Sequence, residues 1–96
     1  MQLSSFLQLT NDLNKNYSLF YRPDKKRKFY PLNKVTITST GAYFSTGNSS
    51  KTLASFKQIV ATLHHKKLPL LIKYQNKIIK IYGIQIDMEH QRIYLF

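Results

Sequence analysis

The chain is 96 residues long and 43% hydrophobic, with fifteen Lys and Arg against four Asp and Glu, a formal charge of +11. That length suits one domain burying about two-thirds of its unfolded surface, and the apolar content excludes a disordered chain. Zero cysteines exclude a disulfide framework and a thiolate metal site, and no run approaches the roughly 18 apolar residues that a membrane-spanning helix needs.

The opening stretch MQLSSFLQL has no positive n-region and no long apolar core, so no signal peptide is read and a cytoplasmic location is expected. A cation excess of this size repels itself and raises the local concentration of polyanions and acidic surfaces. Twelve Lys against three Arg, with abundant Ile, Asn and Tyr, suggest AT-rich coding. That is compatible with a phage, plasmid or integrated element of a low-GC bacterium.

Residues 3 to 17 predict an amphipathic helix, because Leu3, Phe6, Leu7, Thr10, Leu13 and Tyr17 recur at three- and four-residue spacing. Ser4 or Ser5 could cap its start, and Asn11, Asn14 and Asn16 weaken its end. Residues 18 to 34 are the most basic part and read as a connector: Arg22, Lys25, Lys26, Arg27, Lys28 and Lys34 surround the lone Asp24. Pro23 and Pro31 discourage regular structure there. Phe20, Tyr21, Phe29 and Tyr30 flank the run, and cations interleaved with aromatics can contact phosphates and stack on bases together. The same aromatics could instead pin a solvated loop to the core.

Val35 to Thr38 alternate as a strand, Ser39-Thr40-Gly41 is turn material, and Ala42 to Ser45 could return as the hairpin partner. Gly47 to Ser50 break the chain and offer the cap for a second helix expected from about Thr52 to His65, with Leu53, Phe56, Ile59, Val60 and Leu63 as its buried stripe. Neither glycine segment has the glycines and terminal Lys-Ser/Thr of a phosphate loop. His64 and His65 are adjacent and point apart on a helix, so no metal site is expected.

Residues 68 to 96 predict a three-stranded meander. Leu70, Ile72 and Tyr74 alternate with Leu71 and Lys73, and Gln75-Asn76 makes a tight turn. A long second strand through Ile79, Ile81, Ile84 and Ile86 needs a β-bulge at Gly83 to keep its apolar row in phase. Asp87 to His90 turn the chain again toward Ile93 and Leu95. One face of this meander is apolar; the other carries Lys73, Lys80, Tyr82, Arg92 and Tyr94. The expected fold is therefore α+β: two helices on a small antiparallel sheet, in the order α-β-β-α-β-β-β, with a partly open barrel as one form of it.

From Ile59 onward the helix, Leu68-Pro69-Leu70, the turn at Asn76, the strand reaching Ile86-Asp87 and the closing Ile93-x-Leu95 resemble the YolD-like proteins of low-GC bacteria. The stretch also resembles the first half of the Sm-like barrel motif. The resemblance implies a small β-barrel, of a kind that binds RNA in Sm-type proteins, and the hairpin at 35–45 could supply the further strands. YolD-like proteins are associated with error-prone polymerase operons. Gly83 sits two residues closer to Asp87 than the family's glycine does to its aspartate, and no functional residue is carried over.

No nucleophile elbow or obvious carboxylate pair is present. Glu89, His90, Arg92 and Tyr94 could be cast as a small ribonuclease site, but the leading expectation is a non-enzymatic nucleic-acid-binding protein without cofactor or metal. Its contacts would come from the basic arm, with Arg22, Lys25, Lys26, Arg27, Lys28, Tyr30 and Lys34, and from the outer sheet face. The alternative is a protein-binding inhibitor or accessory factor of a mobile element, of anti-CRISPR or anti-defence type, acting on an acidic face of a nucleoprotein complex. The sequence leaves open whether the sheet edge at Phe96 pairs with a second copy to form a homodimer.

Overall fold

A computed structural model describes residues 1–24, 28–63 and 67–96. Among these residues the elements are α1 (Leu3–Leu9), β1 (Ser18–Tyr21), β2 (Tyr30–Thr38), β3 (Gly41–Thr46), α2 (Leu53–Val60), β4 (Leu70–Tyr74), β5 (Lys77–Lys80), β6 (Ile84–Asp87) and β7 (Arg92–Leu95). The seven strands form one curled sheet in the order β5-β4-β3-β2-β1-β7-β6, a half-barrel with both helices packed into its core. The α+β class and the partly open barrel are thus as expected. The differences lie in strand number and direction: β3 with β4 and β1 with β7 run parallel, so the sheet is mixed.

Alternation explains the concave face. Val35, Phe44, Ile72 and Ile79 line up across β2 to β5, followed by Ile37, Ala42 and Leu70 in the next row. Phe6 from α1 meets Phe56 of α2 edge-on at 5.4 Å and Phe44 of β3 at 6.5 Å, and Phe44 lies 4.9 Å from Phe56. These three rings join both helices to the sheet.

The first helix ends at Leu9 and not near Tyr17. Thr10 is buried, and its hydroxyl donates back to the Phe6 carbonyl at 2.9 Å, a bond that competes with helix continuation. The Lys57 ammonium donates to the Thr10 carbonyl at 3.4 Å, satisfying one of the carbonyls at the helix end. Gln2 occupies the N-cap position without a side-chain bond, so neither Ser4 nor Ser5 is the cap. Tyr17 is buried just ahead of β1.

The stretch 18–34 is strand at both ends. β1 occupies 18–21, and β2 begins at Tyr30, five positions before Val35. Pro31 fits because it is the second residue of β2, where the ladder with β1 spans only the pairs Phe20–Pro31 and Tyr21–Tyr30. Beyond those pairs the strands diverge and Lys51 fills the wedge: Leu19 N–H donates to its carbonyl at 2.9 Å, and its own N–H donates to Leu32 at 2.7 Å.

The second helix starts near the expected position, but its cap is Thr52 and not a residue of the Gly47–Ser50 segment: the Thr52 hydroxyl accepts from Ser55 N–H at 3.2 Å, and the helix ends at Val60, short of His65. His64 and His65 lie outside the described residues. Gln75 and Asn76 hold φ of 50° and 63°, the pair of left-handed residues that a two-residue hairpin turn requires. The expected bulge at Gly83 is absent. The chain leaves the sheet after Lys80, buries Ile81, and re-enters at Ile84 on the opposite edge. The expected three-stranded meander is therefore not formed: its residues make two separate hairpins, β4–β5 and β6–β7, at opposite edges of the sheet, with β7 beside β1.

Candidate nucleic-acid interface

Two patches occupy the convex face. The first is built on β2 to β5. Register places Lys34, Ser45, Lys73 and Ile78 in one outward row, and Thr36, Tyr43, Leu71 and Lys80 in the next. Two strand spacings separate Lys34 from Lys73, about 10 Å. The Lys73 ammonium sits 4.9 Å from the Tyr43 ring centroid, an attraction to the negative ring face that orients a side chain otherwise free in water. The chain's four acids are Asp12, Asp24, Asp87 and Glu89, so β2 to β5 carry no carboxylate. This surface is cationic with nothing built into it to neutralise it.

The second patch lies on β1 and β7. Phe20, Phe29 and Tyr94 pack with centroids 5.2 to 6.1 Å apart. Arg92 covers Phe20 at 5.5 Å and Phe29 at 5.1 Å, while Arg22 covers Tyr94 at 5.3 Å. Arg22 Nη1 also donates to Gln85 Oε1 at 3.4 Å. Stacking by one face leaves the in-plane edge of the Arg92 guanidinium oriented for bidentate contact with phosphate, while Arg22 is already engaged by Gln85. Because these groups cover Tyr94, β7 is buried on both faces and Tyr94 is only 5% exposed. Tyr94 therefore supports the arginines and presents no stacking surface of its own.

The other expected site residues divide between these patches or leave them. Lys73 and Lys80 belong to the first, Arg22 and Arg92 to the second, and β4 and β7 stand four strand spacings apart, about 19 Å along the sheet. The single outer platform expected from the meander is thus two surfaces. Lys34, on β2, belongs to the first patch at its side nearer β1, and Lys28 is exposed just before Phe29. Tyr82 is 81% exposed on the link between β5 and β6. Tyr30 turns inward, hydrogen-bonded to Tyr74 with their rings 5.1 Å apart. Lys25, Lys26 and Arg27 lie outside the described residues; in sequence they fall between Arg22 and Phe29, both members of the second patch.

Tyr43 is the residue most easily overlooked. The signal for it is parity: Ala42 and Phe44 face inward, so Tyr43 must face out. The ribonuclease group also changes character. His90 donates its backbone N–H to Asp87 at 3.1 Å and places Nδ1 2.9 Å from the same carboxylate. Those bonds, the side-chain one first, hold the Asp87 carboxyl below its ordinary range. The pair closes the β6–β7 turn, while Arg92 is engaged over Phe20 and Phe29. Among the described residues, no group of three His, Asp or Glu could hold a metal ion, and no helix is long and apolar enough to cross a membrane. Comparison with protein-family models, curated proteins and solved structures finds no match for the chain.

Proposed function

We propose that this protein binds nucleic acid through its convex face, reading backbone charge and shape and carrying out no reaction. The observation that carries the reading is the acid-free row Lys34–Ser45–Lys73 with Lys80 beside it, on the same sheet as the separate arginine–aromatic patch at the base of the basic run. Such a surface contacts phosphates through flexible ammonium groups and through the oriented guanidinium of Arg92. A convex sheet offers no helix to enter a major groove, which favours single strands over a base code in duplex DNA.

The test is fluorescence anisotropy of labelled single-stranded DNA, duplex DNA and RNA at 50 and 200 mM salt. Four phosphate contacts to a single strand predict a loss of about fifty-fold between those salt concentrations. Replacing Lys34, Lys73 and Lys80 by Gln should flatten that dependence, as should neutralising Lys25, Lys26, Arg27 and Lys28. Absence of binding at 50 mM salt would refute the reading.

A second reading draws on a different surface. The open edge of β6 exposes Ile86, and Met88 follows it at 76% exposure, apolar groups suited to a protein partner. A protein-binding inhibitor or accessory factor of a mobile element would use this edge. A stoichiometric protein complex that persists in moderate salt, with negligible affinity for free DNA or RNA, would favour it.

A further inference from the structure

The β4–β5 turn closes a hollow of about 460 Å³ on the rim of the first patch. Ser45 and Thr46 at the end of β3 form one wall; Lys73, the turn residues Gln75 and Asn76, and Lys77 with Ile78 form the other. We propose that this hollow is the seat of one phosphoryl group of a bound nucleotide or nucleotide strand. The inference rests on the nucleic-acid reading above and assigns it a specific phosphate position.

The donor set fits that chemistry. A phosphoryl group presents several acceptor oxygens, and the hollow offers ammonium, hydroxyl and carboxamide donors from three neighbouring strands and the turn between two of them. The paired left-handed residues Gln75 and Asn76 fold β5 tightly back on β4, which brings Lys73 opposite Ile78 and Lys77 opposite Tyr74. The register sends the two lysines to opposite faces of the hairpin, and at its closed end both line the hollow. Among the described residues neither ammonium has a carboxylate partner, and in a chain of net charge +11 an anion bound between them is electrostatically favoured. Tyr43 steadies Lys73 from one side, so less freedom is lost when an anion binds.

The test uses the full chain labelled with ¹⁵N and titrated with inorganic phosphate, a nucleoside monophosphate and the parent nucleoside, alongside oligonucleotide binding by the same sample. Saturating amide shifts at Ser45, Thr46, Gln75 and Asn76 with phosphate and nucleotide, and none with the nucleoside, are expected. Lys73→Gln combined with Lys77→Gln should weaken that saturation at least tenfold, while Lys34→Gln should leave it in place. Both hollow lysines are exposed, so an otherwise unchanged spectrum will verify that the variant is folded. Shifts that rise linearly across every lysine-bearing strand, or that survive in the double variant, would overturn the site. If oligonucleotide binds while the hollow stays silent, the site falls and the nucleic-acid reading stands. If phosphate saturates the hollow while no oligonucleotide binds, the site stands and the nucleic-acid reading falls.

Discussion

Phe20 and Tyr94 face each other across the parallel β1–β7 ladder, where the chain's first strand meets its last. Their rings lie 6.1 Å apart, with Phe29 against both and Arg92 over Phe20 and Phe29. This outward cluster is a small second core closed by planar cations. Each cation–ring contact at such a half-exposed site contributes about 0.5–1 kcal/mol. Arg92→Ala should therefore destabilise the fold by about 1–2 kcal/mol in urea unfolding, well above an ordinary surface substitution. Arg92→Lys keeps the charge and loses the planar stack, so it should recover less than half of that. Full recovery by Lys would show that only the charge matters.

Phe6 sets the strength of the main core. It is fully buried and touches Phe44 and Phe56, the rings through which α1, β3 and α2 meet. Phe6→Ala removes the ring and leaves a cavity that elements on three sides cannot collapse into, for about 3–5 kcal/mol. Against a total stability of about 5–15 kcal/mol, the variant should show a broad, early thermal transition or none. Phe6→Leu fills most of the space and should stay cooperative.

Local rules read this chain well wherever a local signal exists. The start of α2, the Gln75–Asn76 turn and the alternation of Leu70, Ile72 and Tyr74 are all decided within a few residues. What was not legible is set at long range. Ser18 to Tyr21 form a strand because β7, more than seventy residues later, supplies a parallel partner, and no local feature of SLFY announces one. Gly83 breaks the apolar phase in sequence, but that signal does not distinguish a bulge from a crossing between sheet edges. The outer face was readable by parity within β3 and β4. Its division into two patches was not, because curvature and strand order decide which outward residues share a surface.

Two glycines should respond differently to alanine. A Cβ on Gly83 would meet the Phe96 ring, with Cζ at 2.9 Å, and that ring is the far end of a partly exposed side chain that can swing away. A Cβ on Gly47 would lie 2.6 Å from Asn33 Cβ, an atom fixed to the backbone of β2, and Asn33 Nδ2 donates to the Ser49 carbonyl at 2.9 Å. Gly47→Ala should destabilise by about 1–3 kcal/mol as an overpacked contact, and Gly83→Ala by less than about 1 kcal/mol. Equal losses in chemical denaturation would contradict this ordering.

The β6–β7 turn and the tyrosine cluster at the barrel mouth predict opposite ends of the pH profile. The Asp87 carboxyl is held below its ordinary value of 3.8 by its bonds to His90, so its contribution is present above that value and is lost as pH falls through the folded pKa. Tyr21 is pushed above 10.0 mainly by burial, and Tyr74 mainly by its hydrogen bond with Tyr30. For these acids the raised value favours the neutral form, so their contribution is complete below pH 10.0 and declines as pH rises through the folded pKa. Urea midpoints should therefore fall at both extremes, through different residues. Asp87→Asn should flatten the profile below about pH 4 and leave the alkaline side unchanged, while Tyr21→Phe with Tyr74→Phe should do the reverse. An acid limb unaltered by Asp87→Asn would show that the turn does not couple to global unfolding.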